Sequence, residues 1–81
     1  MAITLEQAKN LRHGQTLYGS TYNRKGQPHQ WRVNGQVKTW KRDPSRVRVP
    51  IKHGLYAYDY ITEHDLDCVF LTEQEALDAR G

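Results

Sequence analysis
The sequence predicts a mainly β domain of the α+β class, a small bent antiparallel sheet with short helices near both ends. Three observations carry this. Runs of alternating apolar and polar residues recur through the middle of the chain, separated by breaks rich in Gly, Pro, Asn and Asp. Two capping-box patterns, Thr4-Leu5-Glu6-Gln7 and Thr72-Glu73-Gln74-Glu75, lie one toward each end. The chain has 81 residues, 37% of them hydrophobic, which suffices for a single economical core and one domain over residues 1–81.

Thr4 caps a first helix that should run to about Leu11, with Leu5, Ala8 and Leu11 on one face and Gly14 beyond it. Residues 15–22 alternate as a strand in which Leu17, Gly19 and Thr21 oppose Tyr18, Ser20 and Tyr22, and either set can face inward. Asn23 to Pro28 is a polar loop. The stretch His29 to Arg42 reads as a β-hairpin about Asn34-Gly35, because a two-residue type I′ turn requires φ > 0 at both central residues. That register would put Trp31, Val33, Lys38 and Trp40 on one face and Gln30, Arg32, Val37, Thr39 and Lys41 on the other.

Asp43-Pro44-Ser45 has the residues of a type I turn. In the next strand Val47, Val49 and Ile51 point one way, and Arg46, Arg48 and Lys52 the other. Pro50 lacks a ladder donor, so this strand should lie at an edge or carry a bulge. After a turn at His53-Gly54, residues 55–61 alternate, with Tyr56, Tyr58 and Tyr60 sharing a face. Thr62 to Asp65 resembles a capped helical turn, Asp67 to Leu71 a short apolar strand, and Thr72 opens a terminal helix with Ala76, Leu77 and Ala79 inside. About five or six short strands at this spacing fit a bent sheet or a partly open SH3-like or OB-like barrel.

Catalytic chemistry finds little support. His13, His29, His53 and His64 are scattered near loops without a ligand partner at i+4, so neither a metal nor a cofactor is implied. Cys68 stands alone in an apolar run and reads as a buried structural thiol. It excludes an intramolecular disulfide framework and fits a reducing compartment. No apolar run approaches the roughly 18 residues of a membrane span, and residues 1–4 do not begin a signal-peptide core.

The net charge of +3 conceals a division. Residues 1–52 hold eleven Lys/Arg against Glu6 and Asp43, a net of +9, whereas residues 53–81 hold Arg80 against seven acids, a net of −6. The densest basic tract contains Lys38, Lys41, Arg42, Arg46, Arg48 and Lys52, with Arg32 just before it. Cations on a rigid sheet face track phosphates, and Trp31, Trp40 or the tyrosine stripe offer stacking surfaces for bases. Against this stands the plainer reading that the tryptophans are core and the cations a solvated face.

The run Trp31-Arg32-Val33-Asn34-Gly35, with Lys38-Thr39-Trp40-Lys41-Arg42, Pro44, Arg46, Val49-Pro50 and Lys52 to Tyr56, resembles small uncharacterised proteins of tailed bacteriophages. The likeness spans roughly residues 29–61 and carries over no activity or site residue. It implies a phage-encoded protein in the host cytoplasm. The expected function is non-enzymatic: a binding domain whose basic face, with Arg32, Lys38, Lys41, Arg42, Arg46, Arg48, Lys52, Trp31 and Trp40, contacts nucleic acid. The alternatives are a protein that docks on an acidic host or defence protein, and self-assembly through the oppositely charged segments.

Overall fold
A computed structural model describes residues 2–54 and 57–79. Its elements are α1 (Leu5–Lys9), β1 (Thr16–Tyr22), β2 (Pro28–Val33), β3 (Lys38–Thr39), β4 (Val47–His53), β5 (Ala57–Thr62), a 3-10 turn (Leu66–Cys68), β6 (Val69–Phe70) and α2 (Glu73–Ala79). The strands form one open antiparallel sheet. Across it the order is β5, β4, then β2 and β3 end to end, then β1 and β6.

α1 begins as its capping box dictates: the Gln7 amide donates to Thr4 Oγ1 at 3.1 Å, and the Thr4 amide donates to Gln7 Oε1 at 2.9 Å. The helix stops at Lys9 rather than near Leu11, although Leu11 is still buried. The first true hairpin joins β1 to β2 through residues 23–27, where Asn23 Oδ1 accepts from the amides of Lys25 and Gln27.

The Asn34-Gly35 hairpin does not form. β2 and β3 do not pair with each other; both pair with β4, Val33 with Ile51 and Lys38 with Arg48. Five steps along one path therefore face three along β4, so the segment between Val33 and Lys38 is a two-residue excursion from a single long strand. Gly35 has φ +121°, but no non-glycine residue has positive φ among those described, so Asn34 cannot complete a type I′ turn. Lys38 explains the choice. A hairpin would set its ammonium beside Val33 and Trp31 on the core face, where desolvation costs several kcal/mol. The excursion instead delivers Lys38 to the opposite face.

Pro50 sits opposite this excursion. Its carbonyl accepts from the Asn34 amide at 2.8 Å, and its missing donor falls where the ladder is already interrupted. β4 is accordingly a central strand, not an edge, and the bulge lies in its neighbour. The Asp43–Arg46 turn forms as expected, with the Arg46 amide donating to the Asp43 carbonyl and Ser45 Oγ to Asp43 Oδ1.

One face of the sheet builds the core. Leu17, Val33, Val47, Val49, Ile51, Ile61 and Val69 are buried there, together with Ile3, Ala8 and Leu11 from the N-terminal segment. Burying side chains of this kind is worth about 1.5–3 kcal/mol each. Trp31 packs at the edge of this cluster, its ring lying over Gly19. This settles the orientation of β1: Leu17 and Gly19 face the core, and the glycine is a seat for the indole.

The opposite, outer face is divided. Phe70 pairs with Tyr18 and is buried at the β1–β6 end, where α2 packs and the Tyr22 hydroxyl donates to the Ala76 carbonyl at 2.6 Å. Ala76, Leu77 and Ala79 all lie in α2 as expected; Ala76 is buried and Ala79, the last residue of the helix, is exposed. The capped turn at Thr62 forms as expected: the Asp65 amide donates to the Thr62 carbonyl at 2.9 Å, Asp65 Oδ2 accepts from the Thr62 amide and hydroxyl, and a further 3-10 turn follows from Leu66. The last strand shrinks to Val69–Phe70. Cys68 lies in the 3-10 turn ahead of it and is exposed, not buried, because alternation begins only at Val69. Leu55 and Tyr56, the start of the expected strand and the first residue of its tyrosine stripe, fall outside the described residues.

Two outcomes test this packing. A Cβ at position 19 would lie 2.5 Å from Trp31 Cη2, so Gly19→Ala should lower stability by about 1–3 kcal/mol in urea denaturation, and by less in a Trp31→Leu background. The Cys68 thiol should react stoichiometrically with a chromogenic disulfide reagent in the native state; reaction only in denaturant would contradict its placement.

Candidate nucleic-acid interface
The site is built on the alternation of β4. With Val47, Val49 and Ile51 committed to the core, Arg48, Pro50 and Lys52 must face outward. Pairing then aligns their neighbours: Lys38 with Arg48 on one flank, Arg32 with Lys52 on the same flank, and Tyr60 with Pro50 and Tyr58 with Lys52 on the other. Tyr58 and Tyr60 are 63% and 56% exposed, the most exposed large hydrophobic side chains among the described residues.

Cations and rings are interleaved on this face. Arg46 Cζ lies 4.1 Å from the centroid of the Trp40 ring, Lys38 Nζ 5.1 Å and Arg48 Cζ 5.9 Å. Arg48 Cζ is also 5.2 Å from the Tyr60 ring, and Lys52 Nζ is 6.0 Å from that of Tyr58. Such contacts are worth about 0.5–1 kcal/mol at exposed sites. They orient the cations without consuming their charge. Only Arg46 approaches a carboxylate among the described residues, its Nε 4.0 Å from Glu63 Oε1. That Glu63 oxygen also accepts from the Val47 amide at 3.3 Å, which fixes it at the end of the face. A shallow pocket of about 290 Å³ opens beside Arg32 and Lys52, with Thr16 and Gln30 in its lining.

Of the nine residues singled out in the sequence, Arg32, Lys38, Trp40, Arg46, Arg48 and Lys52 come together here. Lys41 and Arg42 are exposed in the bend that follows β3. Trp31 does not join them. It lies on the core face, half-buried over Gly19, so the tryptophans do not share a side. Tyr58 and Tyr60 complete the surface; their signal was the period-two stripe in β5, which alternation alone could not assign to solvent. No group of three or more metal-ligating side chains gathers among the described residues.

The charge division of the sequence is kept in space only in part, since Asp59 lies in β5 and Glu63 meets Arg46 at the end of the basic face. α2, with Glu73, Glu75 and Asp78, covers the β1–β6 end of the outer face, while the cations occupy the uncovered β2–β5 end. This arrangement concentrates anions near Trp40. With Trp31→Phe leaving Trp40 as the sole tryptophan, iodide should quench its emission at least about twofold more strongly than caesium at low salt, the difference shrinking as added salt screens the face. Equal quenching by the two ions would contradict a cationic setting.

No protein family matches this chain, and no curated protein or solved structure shows significant similarity to it.

Proposed function
We propose that the chain is a non-catalytic binding domain of phage type, acting in a host cytoplasm, whose outer sheet face contacts nucleic-acid phosphates with little readout of base edges. The observation that carries this reading is the gathering of Arg32, Lys38, Arg46, Arg48 and Lys52 on one uncovered, rigid face with exposed aromatic rings between them. Backbone pairing holds Arg32, Lys38, Arg48 and Lys52 at strand spacing, and the Asp43–Arg46 turn holds Arg46, so the backbone under these cations costs little further ordering on binding, unlike that of a mobile tail. A strand path in which a 3-10 turn returns the last strand to β1 supports a partly open SH3-like or OB-like form.

The same cations would also suit an acidic host or defence protein, with Tyr58 and Tyr60 as anchors. Self-assembly through the acidic helix of one copy and the basic face of another is a third arrangement, and it calls for light scattering above monomer mass at low salt.

Salt titration separates these. If about five phosphates are neutralised, log K should fall against log salt with a slope near −4.5 on duplex DNA or −3.5 on a single strand. Lys52→Gln should reduce the slope on duplex by about 0.9 and leave the fold unchanged. Absence of binding at low salt, or a flat response, rejects the proposal. Nuclease-resistant co-purification of an acidic protein, without nucleic acid, favours the second reading.

A further inference from the structure
Resting on that reading, we infer that the ligand is single-stranded nucleic acid, held along a diagonal track from Tyr58 through Tyr60 and Arg48 to Trp40. Tyr58 and Tyr60 are two residues apart on one strand, so their rings are presented about 6.8 Å apart. The Arg48 guanidinium comes next, 5.2 Å from the Tyr60 ring, and it lies 5.9 Å from the Trp40 ring beyond it. The spacing of the two tyrosines is about twice the ~3.4 Å rise between stacked bases of a duplex strand. The track therefore fits bases that have been drawn apart, each with a free π-face.

The rings and cations also repeat as a unit. Tyr58 has Lys52 beside it, Tyr60 has Arg48, and Trp40 has Arg46 and Lys38. A nucleic-acid strand repeats a base and a phosphate in the same way. Base pairs inside a duplex have both faces covered by their neighbours and could not reach these rings, so a duplex would use the cations alone. Arg48 is the pivot, because its planar guanidinium lies between the two flanking rings, within cation–π range of each, and can meet the phosphate between their bases. The span corresponds to about four nucleotides, the small end of single-strand sites on such sheets.

The test is fluorescence anisotropy of the full chain at low salt with labelled oligothymidylates of increasing length, an oligouridylate, and a blunt duplex of equal phosphate number. The single strand should bind at least about tenfold tighter than the duplex, with affinity gained steeply up to about four nucleotides. Tyr58→Ala and Tyr60→Ala should each weaken single-strand binding about 5- to 150-fold and duplex binding by no more than about twofold, the loss expected from freeing the cations they orient, while Tyr60→Phe retains single-strand binding. Both tyrosines are exposed, and circular dichroism checks that the variants fold. Duplex binding as tight as single-strand binding, or tyrosine variants that bind single strands like the parent, would overturn this inference and leave the phosphate-binding proposal standing. Failure of both nucleic acids to bind would overturn both. Thymidylate against uridylate decides between DNA and RNA as the source of the strand.

Discussion
Every outward feature of this protein depends on how β4 is paired. Its alternation sends Val47, Val49 and Ile51 into the core and Arg48, Pro50 and Lys52 out. Because both neighbours are antiparallel and in register, that division spreads across the sheet. Pro50 would be costly in a central strand with an unbroken ladder. It is accommodated because the Asn34–Val37 excursion lies opposite, leaving no acceptor that requires its missing amide hydrogen.

The excursion is itself held from the far side. His13 Nδ1 accepts from the Gly35 amide at 2.9 Å, while the Gly14 amide donates to the Val33 carbonyl at 2.8 Å and the Val33 amide to the Gln15 carbonyl at 2.9 Å. The segment after α1 thus pins the place where β2 departs from the sheet, and Val37 packs back on the core. Lys9 Nζ adds a bond to the Pro44 carbonyl, tying α1 to the turn before β4. These contacts link the N-terminal helix to the geometry of the basic face without any of them touching it.

The candidate site was legible as composition and partly as pattern. The density of Lys and Arg between residues 38 and 52, and the alternation of β4, place Arg48 and Lys52 together in any strand reading of that segment. The alternation of β2 correctly sets Trp31 with Val33, whereas Lys38 and Trp40 are assigned to that same face only by a turn that does not form. Asn-Gly serves a bulge as readily as a hairpin when only the glycine takes positive φ, and a local motif cannot register which distant strand competes for the same amides. Cys68 was misread for a related reason: its apolar neighbours Val69 and Phe70 enter the sheet, but the 3-10 turn before them leaves the thiol outside.

What the sequence by itself determined is local: the capping box of α1, the Asx-capped loop after β1, the Asp43–Arg46 turn, and the two-residue periods of β4 and β5. Each is settled by hydrogen bonds and sterics among residues a few positions apart. Only the tertiary structure decided that β2 and β3 share β4 as a partner, that Trp31 seats on Gly19, and that α2 covers one end of the outer face while leaving the other bare. Those outcomes turn on which long-range pairing buries the most apolar surface while keeping Lys38 in water, and no short stretch of the chain contains both sides of that comparison.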